Sequence, residues 1–359
     1  MPVTIERLSP ETVAQISAVR ERRLRRGSIR DRGRRIEIGL VNNMPDAALQ
    51  ATERQFSNLL TAACGRAEVR LHLFALRDVP RSAEARAALK RTYRDASELG
   101  RRRLDALIVT GAEPLAPELA QEPYWAALTE LVDWADSNTV STILSCLAAH
   151  AGVQHLDGIT RQPLPAKCSG IFAFETAPRN RLVSGLGEAL LAPHSRRNGL
   201  SAQDLIRQDY QLLSSNAEIG VDAFAKQRQS LFVFLQGHPE YENDSLAREY
   251  RRDMSRFLRG EQDAPPAIPA AYYPTPVERA LAAFSERARR DRRPELMESF
   301  PDAGAFGPCD APWRPAAIQF YRNWLDLVAE RKAATFDDAS IAVARWGGSN
   351  RSTEAGAIG

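Results

Sequence analysis

Short runs of apolar residues recur along the first two thirds of the chain and stop abruptly at small or polar residues. The clearest runs span residues 36–41, 107–110, 140–144 and 230–235. Uniformly apolar strands separated by helical patterns are typical of parallel sheets that helices cover on both faces. The pattern therefore predicts an α/β protein with a doubly wound, mostly parallel sheet of the flavodoxin-like type and additional helices.

Further elements are expected around these runs, where apolar residues recur at helical or alternating spacing. Asp46 and Asp244 are of a residue type that commonly caps helix N-termini. The expected elements are a strand over 69–76, helices over 46–63, 82–97, 124–135, 147–155, 244–259, 277–290 and 318–331, short strands over 210–215 and 220–225, and a turn-rich region over 157–181.

Composition divides the chain into four parts. We predict a basic polar leader over 1–35, the α/β domain over 36–260, a segment rich in proline and alanine with a C-terminal helix over 261–345, and a disordered tail over 346–359. The leader holds nine arginines and two acidic residues between positions 20 and 35, without interleaved aromatic residues. A solvated arm is therefore favoured over a nucleic-acid-binding site.

The composition also indicates the class of protein and its compartment. With 44% hydrophobic and 26% charged residues among 359, the chain is typical of soluble globular proteins. No apolar run resembles a signal peptide or a membrane span. The four cysteines have no Cys-x-x-Cys spacing, so neither a disulfide framework nor a metal site is expected. We expect a cytoplasmic protein with no membrane or nucleic-acid partner and no bound cofactor.

Cys146 directly follows the apolar run at 140–144 and precedes an alanine-rich stretch with helical spacing. It is therefore expected at a strand-to-helix turn at the carboxyl end of the sheet, where open α/β folds bind ligands. The dipole at a helix N-terminus favours the nucleophilic thiolate form of cysteine. A single cysteine considered alone is more commonly a small buried hydrophobe, so other residues must decide.

His238 also follows a buried run, and Glu240 comes two residues later. A nucleophile, a base and a carboxylate that orients the base form the triad of acyl-transfer enzymes. In such a triad His238 accepts a proton, and Glu240 fixes its tautomer and stabilises its charged form. The backbone N–H groups of Leu147 and of the turn Gly111-Ala112-Glu113 are the expected donors to the oxyanion.

Short motifs around these residues occur in one order and spacing along the chain. They are Asn42-x-Met44-Pro45, Glu53-x-Gln55-Phe56, Thr110-Gly111-Ala112, Tyr124-Trp125, Cys146, Lys167-x-Ser169-Gly170, Ala192-Pro193-His194-Ser195-Arg196, Gly237-His238-Pro239-Glu240-Tyr241 and Arg252-Asp253. Together they resemble the homoserine O-succinyltransferase family, whose fold is that of class I glutamine amidotransferases. The similarity spans about residues 36–259 and resumes at Trp313 and Asn323-Trp324-Leu325.

The resemblance implies an acyl-CoA-dependent homoserine O-acyltransferase, the first committed enzyme of methionine biosynthesis, acting as a homodimer. It implies a ping-pong mechanism in which Cys146 takes the acyl group as a thioester. His238 would activate the acceptor hydroxyl, with Glu240 as its partner. No cofactor is implied beyond the acyl-CoA co-substrate, either succinyl-CoA or acetyl-CoA.

Lys167, Ser195 and Arg252 match substrate-binding positions of the family. An arginine can hold a carboxylate such as that of homoserine through two hydrogen bonds, and a lysine offers a point charge. Without the resemblance, both basic residues would be interpreted as solvated surface charges.

The acyl donor depends on a position shortly after Thr-Gly-Ala, where family members that use different donors differ. Family members usually carry a small or an acidic residue there, glycine or glutamate, but the equivalent residue here is Leu115. The nearby Glu113 could repel a succinyl carboxylate or lie outside the pocket. We expect succinyl-CoA as the donor from the family's usual activity. Acetyl-CoA stays open, as does serine in place of homoserine as acceptor.

Two other interpretations stay open. Glutamine amidotransferases use the same three residue types, but they usually flank the cysteine with glycines, and Leu144 and Ala148 hold those positions here. A binding scaffold that kept the fold without activity would not need the cysteine, histidine and glutamate together. The acyltransferase therefore ranks ahead of both.

Overall fold

The strands of this chain form one mixed sheet in a computed structural model that describes residues 3–6, 35–301 and 310–349, with side chains up to residue 334. Residues 346–349 of the tail predicted over 346–359 belong to the last helix, and the rest of that tail, like the arginine-rich stretch over 20–34, lies outside the described residues. The strands are β1 Val3–Glu6, β2 Arg35–Val41, β3 Glu68–Ala75, β4 Arg94–Asp95, β5 Ala106–Val109, β6 Ser141–Ser145, β7 Gln162–Thr176, β8 Ala189–Gly199, β9 Gln211–Asn216, β10 Gly220–Gln227 and β11 Leu231–Leu235.

The sheet consists of a parallel part and an antiparallel extension. Its order is β1-β3-β2-β5-β6-β11-β10-β9-β7-β8, and the short β4 pairs with β3. The strands from β1 to β11 in this order are mutually parallel, and the remaining four pair in antiparallel fashion. The predicted α/β class and the parallel pairing of the apolar runs are confirmed.

Helices cover both faces of the parallel part because alternate strand residues point to opposite sides. In β5, Ala106 and Ile108 join a core that includes residues of the first and last helices, whereas Leu107 and Val109 join the core on the other face. The helices are α1 Leu49–Ala63, α2 Ala83–Thr92, α3 Trp125–Asn138, α4 Leu147–Asp157, α5 Ala202–Arg207, α6 Ser245–Leu258, α7 Thr275–Arg290 and α8 Arg314–Ser349. Within the described residues, no helix is long and apolar enough to cross a membrane.

The C-terminal helix α8 packs on the domain, as its apolar spacing predicts. Trp324 is fully buried, and its indole N–H donates a hydrogen bond to the Ser141 hydroxyl at 2.9 Å. Lys332 reaches the carboxylate of Asp105 at 2.6 Å. The last helix therefore belongs to the core of the sheet structure rather than to a separate unit.

Two further stretches differ from the sequence-based expectation. The turn-rich region expected over 157–181 is wrong, because it contains the 15-residue strand β7, which pairs with β8. Its residues are mostly exposed or half-buried, so the apolar run that marks a buried strand is missing. The leader also contains β1, which pairs with β3 at the edge of the sheet.

Strands β6 and β11 position the predicted catalytic residues Cys146 and His238. They are parallel neighbours, and Ser145 pairs with Leu235 at their carboxyl ends. The backbone N–H of Cys146 continues this pairing by donating to the carbonyl of Leu235 at 2.6 Å. The residues that follow the two strands therefore emerge side by side at one edge of the sheet.

Candidate active site

Cys146 occupies a sharp turn between β6 and α4. Its backbone has φ 53° and ψ −113°, a left-handed conformation that is unfavourable for a residue with a side chain. The turn leaves the thiol half-exposed at the start of α4, as the sequence predicts. Leu147 is the first residue of that helix, so its N–H has no partner within the helix.

His238 and Glu240 form a buried pair beside this turn. The Nδ1 atom of His238 lies 2.8 Å from Oε1 of Glu240, and both side chains are less than 10% exposed. The side chain of Cys146 lies close enough to the imidazole to raise its pKa. The structure therefore brings the three predicted catalytic residues together in the order cysteine, histidine, carboxylate.

Burial and charge act in opposite directions on His238. Burial alone would lower its pKa, but the carboxylate of Glu240 and the side chain of Cys146 together raise the pKa well above the usual value of 6.5. The imidazole is therefore favoured in its protonated form next to the nucleophile.

The predicted oxyanion site lies where Gly111 packs on Leu147. A Cβ atom at position 111 would lie 2.9 Å from the Cβ of Leu147 and 3.0 Å from its backbone nitrogen, so a larger residue could not approach this closely. The turn that continues through half-buried Ala112 borders the start of α4. This contact supports the expected pairing of a donor from Leu147 with one from the Gly111 turn.

A chain of contacts connects the triad to one predicted substrate-binding residue. The ring of Tyr241 stacks on that of His238 with centroids 4.3 Å apart, and its hydroxyl donates to Oε1 of Glu249 at 2.5 Å. The other oxygen of Glu249 lies 3.9 Å from the ammonium of Lys167. Lys167 therefore lies one aromatic ring and one carboxylate away from the catalytic base.

Asp253 joins Lys167 to Arg252. Its nearly buried carboxylate lies 2.7 Å from Lys167 Nζ, and Arg252 donates two hydrogen bonds to its other oxygen at 2.9 and 3.0 Å. Burial would raise the pKa of Asp253, but the two cations together lower it below its usual value. Asp253 thus holds two basic residues side by side, a role that its place in the Arg252-Asp253 motif does not predict.

The residues expected near the acyl group lie on a loop that faces α6. Glu113 forms an ion pair with Arg256 of α6 at 2.6 Å, so its charge is compensated. Leu115 is 66% exposed, and Ser195 lies half-buried in β8 opposite Ser169. The roles of Glu113, Leu115 and Ser195 stay predictions.

Sequence reasoning missed a polar network buried beneath His238, the predicted base. His194 is fully buried, with Nε2 3.1 Å from Asp222 and Nδ1 accepting a hydrogen bond from Arg196 at 3.1 Å. Because the arginine can only donate, the neutral His194 must carry its proton on Nε2. The second oxygen of Asp222 accepts from the Ser214 hydroxyl at 2.7 Å.

This network supports the turn that carries His238. A Cβ atom on Gly237 would lie 2.5 Å from Asp222 Oδ1 and 2.8 Å from His194 Nε2. The N–H of His238 donates to the carbonyl of Pro193 at 2.8 Å. The motifs around residues 194 and 238 both contribute to the family resemblance, but the sequence does not predict that they contact each other.

A second missed contact links the helix of the nucleophile to the strand of the base. The Nε2–H of His150 donates to the side-chain oxygen of Gln236 at 2.8 Å, and the amide of Gln236 donates to the carbonyl of Val221 at 2.6 Å. Burial lowers the pKa of His150 to about 4, so this histidine is neutral at physiological pH. Within the described residues, no group of three or more histidine, cysteine or acidic side chains is placed to hold a metal ion.

Comparison with known proteins identifies the family. The profile of the homoserine O-succinyltransferase family matches residues 4–334, which is most of the chain. The chain belongs to the homoserine O-succinyltransferase family. The resemblance that the sequence motifs indicate is therefore confirmed, and the triad lies within the matched range.

Named members of the homoserine O-succinyltransferase family are similar along most of the chain. A homoserine O-succinyltransferase of Rhodopseudomonas palustris is 51% identical over 294 residues, covering 82% of this chain and 88% of its own. One from Methylorubrum extorquens is 49% identical over 300 residues, covering 84% and 89%. Among solved structures, a glutamine amidotransferase from Methylobacillus flagellatus aligns over 82% of this chain and 95% of its own, at 15% identity and a TM-score of 0.46.

Proposed function

We propose that this protein transfers the succinyl group of succinyl-CoA to the hydroxyl of homoserine. The observation that carries the proposal is the Cys146–His238–Glu240 arrangement in a chain of this family. The names of the relatives favour a succinyl donor and a homoserine acceptor over the acetyl donor, the serine acceptor and the glutamine amide that the sequence leaves open.

In the first half-reaction the Sγ atom of Cys146 attacks the thioester carbonyl of succinyl-CoA. His238 holds the proton that the Cys146 thiol gives up, and the oxyanion accepts hydrogen bonds from the N–H of Leu147 and from the Gly111 turn. The tetrahedral intermediate collapses by breaking the bond to the sulfur of CoA. That sulfur leaves with the proton held by His238, and the succinyl group stays on Cys146 as a thioester.

In the second half-reaction the hydroxyl oxygen of homoserine attacks the thioester carbonyl. Neutral His238 takes the hydroxyl proton, and Glu240 stabilises the resulting imidazolium. Breaking the carbon–sulfur bond frees the sulfur of Cys146 and releases O-succinylhomoserine, and the hydroxyl proton stays with the cysteine–histidine pair. The free enzyme is then restored for another cycle.

Lys167 and Arg252 are the proposed binding residues for the charged groups of homoserine. Arg252 keeps 44% of its side chain exposed while Asp253 fixes its orientation, so its guanidinium can still accept a ligand carboxylate. We further propose a homodimer in the cytoplasm that requires no bound cofactor. Sedimentation equilibrium and cell fractionation test these two statements.

Intact-protein mass spectrometry after mixing with acyl-CoA, without acceptor, tests the mechanism. We expect a mass gain of one succinyl group with succinyl-CoA, lost in Cys146→Ala. Cys168→Ala is the matched control, because Cys168 is another free and half-buried thiol. The control should keep the mass gain, and added homoserine should remove it.

The alternatives give different results in the same experiment. A gain only with acetyl-CoA would make the protein an acetyltransferase, and discharge only by serine would change the acceptor. Release of ammonia from glutamine without any acylation by acyl-CoA would identify an amidohydrolase. Full transfer activity in Cys146→Ala would contradict the covalent mechanism.

A further inference from the structure

The ring of Tyr241 covers one face of the imidazole of His238. The ring centroids are 4.3 Å apart, the two planes differ by 15°, and both side chains are buried. The local sequence produces this contact, because the backbone N–H of Tyr241 donates to the carbonyl of His238 at 3.1 Å and closes a tight turn that contains Pro239. The turn therefore brings the proposed base and an aromatic ring together.

Contacts with other parts of the chain hold Tyr241 in this position. Its hydroxyl donates to Oε1 of Glu249 on α6 at 2.5 Å, and its backbone carbonyl accepts from the indole N–H of Trp313 at 3.2 Å. Burial and the neighbouring carboxylates raise the pKa of Tyr241 well above its usual value of 10, so the hydroxyl keeps the proton that it donates. Tyr241 also joins a buried apolar cluster with Ile171 of β7. Its ring cannot turn away from His238 without losing the hydrogen bond to Glu249.

The imidazole of His238 needs such a support because its hydrogen bond to Glu240 fixes only one atom of the ring. Nδ1 lies 2.8 Å from Oε1 of Glu240, and a ring held through one atom can still tilt about that bond. A stacked aromatic ring restricts the tilt, so that Nε2 keeps its direction. Proton transfer requires Nε2 to lie about 2.6–3.2 Å from the atom that gives up the proton. A small misplacement of the imidazole therefore slows the transfer strongly.

Glu249 connects this support to the residues proposed to bind homoserine. Its Oε2 atom is buried, has no hydrogen-bond partner within the described residues and lies 3.9 Å from Lys167 Nζ. Lys167 and Arg252 share Asp253, which follows Glu249 by one turn of α6. Residues one turn apart lie on the same face of a helix. The anchor of Tyr241 and the carboxylate that orients the two basic residues therefore share one face of α6.

We propose that Tyr241 is a positioning residue that fixes the orientation of His238 toward the hydroxyl of homoserine, with Glu249 as the anchor of its ring. The inference rests on the proposed function and assigns roles to two residues outside the triad and outside the substrate-binding positions. The role belongs mainly to the second half-reaction. Cys146 is tied to the protein beside His238, whereas the homoserine hydroxyl is not and must meet Nε2 in one direction.

The test measures the two half-reactions separately in Tyr241→Leu, Tyr241→Phe and the unchanged protein. Rapid quenching and mass spectrometry give the rate of acylation by succinyl-CoA and the rate at which homoserine removes the acyl group. We expect Tyr241→Leu to lower the maximal rate of discharge about 100-fold and the rate of acylation less than about 10-fold, since the imidazole loses its support. The homoserine concentration at half-maximal discharge should change less than about twofold, because a positioning residue acts on the transition state.

The hydrogen bond to Glu249 is tested by variants that keep the aromatic ring. Tyr241→Phe should slow discharge about 5–10-fold, since the ring stays but its anchor is lost. Glu249→Met should slow it by a similar factor. The double variant should lose little more than either single variant, because both changes remove the same hydrogen bond.

Nuclear magnetic resonance gives a readout that a general loss of packing would not reproduce. A stacked aromatic ring shifts the Cε1–H signal of His238, so this signal should move in Tyr241→Leu and stay in Tyr241→Phe. Tyr210→Phe is the matched control, because Tyr210 is also buried and its hydroxyl donates to Asp157 at 2.5 Å, at the far end of α4 from Cys146. It should leave both half-reactions unchanged.

Equal slowing of discharge in Tyr241→Phe and Tyr210→Phe, or an unchanged maximal rate in Tyr241→Leu, would overturn the inference and leave the proposed function standing. If Tyr241→Leu does not fold, the comparison of Tyr241→Phe with Tyr210→Phe decides. If the unchanged protein is not acylated by succinyl-CoA at all, the proposed function fails and the inference falls with it.

Discussion

At the scale of single residues, the charge of His238 depends on Glu240 and Cys146, and only Cys146 is chemically changed when the acyl-enzyme forms. The side chain of Glu240 is unchanged by acylation, whereas that of Cys146 becomes an uncharged thioester, and both raise the pKa of His238 in the free enzyme. The raised pKa of His238 must therefore fall on acylation. The base that serves the second half-reaction is then more easily neutral than the imidazole of the free enzyme, as that step requires.

We predict that Cys146→Ala lowers the pKa of His238, because it removes one of the two charges that raise it. Nuclear magnetic resonance titration of the imidazole measures the shift. Glu240→Gln should lower this pKa as well, and Cys168→Ala is the control that should not. An unchanged pKa of His238 in Cys146→Ala would contradict the proposed coupling.

The raised pKa of His238 also makes the free energy of unfolding depend on pH. The folded pKa of His238 lies above the unfolded value of about 6.5, so the folded state binds the proton more tightly. This contribution is fully present below about pH 6.5 and is lost as the pH rises through the folded pKa. Cys146→Ala should therefore lose less unfolding free energy over that range than the unchanged protein.

Gly237 is the residue where the missed network meets the triad. We predict that Gly237→Ala lowers kcat about 100-fold, because the new Cβ must displace Asp222 or His194 and shift the His238 turn. Steady-state kinetics and circular dichroism separate this loss from unfolding. Gly100→Ala is the control that should keep normal activity, because its new Cβ would meet the nearest atom, Trp134 Nε1, only at 3.8 Å. Normal activity in Gly237→Ala would show that the turn does not depend on the close contact.

The residues of the candidate site could be predicted from the sequence only where they directly follow a buried strand. Cys146 and His238 follow such strands, so their convergence follows from the rule that parallel strands end at one edge. His194 and Asp222 lie 28 positions apart on antiparallel strands, and no periodicity predicts their pairing.

At the scale of elements, the four-residue strand β1 is held to the sheet by charge. Glu6 lies 3.3 Å from His72 Nδ1, 2.9 Å from Arg102 and 3.3 Å from Arg70. The hydrogen bond from His72 is the main cause that lowers the pKa of Glu6 to about 2, against the effect of burial. Glu37 completes the cluster with a contact of 2.6 Å to His72 Nε2.

We predict that Glu6→Gln lowers the free energy of unfolding at pH 7 by about 1–3 kcal/mol, since it leaves buried donors without a charged partner. A group with a lowered pKa stabilises above its unfolded pKa of 4.5 and loses this effect as the pH falls toward 2. Urea titration at several pH values should therefore show convergence of variant and unchanged protein in acid. The control is Glu68→Gln, whose half-exposed carboxylate lies 3.9 Å from Arg70. A constant difference at all pH values would contradict the assignment.

Elements were predictable where burial leaves a pattern and missed where it does not. The buried strands read as apolar runs because both of their faces are covered by helices. β7 has mostly exposed or half-buried residues and two prolines near its start, so it resembles a loop in the sequence. β1 is too short to show alternation, and its stability comes from partners in β3 and beyond.

At the scale of the whole molecule, α8 closes one face of the sheet. Trp324 and Tyr321 are completely buried in the core that also contains residues of α1 and β2. The last described helix of the chain thus completes the core that the first strands begin. The parallel part of the sheet therefore shares one of its two cores with this C-terminal helix.

We predict that Trp324→Ala lowers the free energy of unfolding by about 3–5 kcal/mol, because it leaves a cavity and an unpaired Ser141 hydroxyl. Trp324→Phe should cost less, since it keeps most of the ring volume. Arg322→Ala on the exposed side of the same helix is the control, with little expected change. Chemical denaturation measures all three, and equal stability of Trp324→Ala and the control would contradict the role of α8.

The backbone conformation of Cys146 is unfavourable for the stability of the fold, whereas the proposed reaction requires a thiol at this position. Glycine adopts this conformation without cost, so at position 146 the most stable residue is one with no thiol. Among descendants of this chain selected only for stability, replacement of the nucleophile by glycine would be an easily accessible improvement. A cysteine retained here over evolutionary time would therefore record continuous selection for the reaction, and a glycine would mark lineages that have abandoned it.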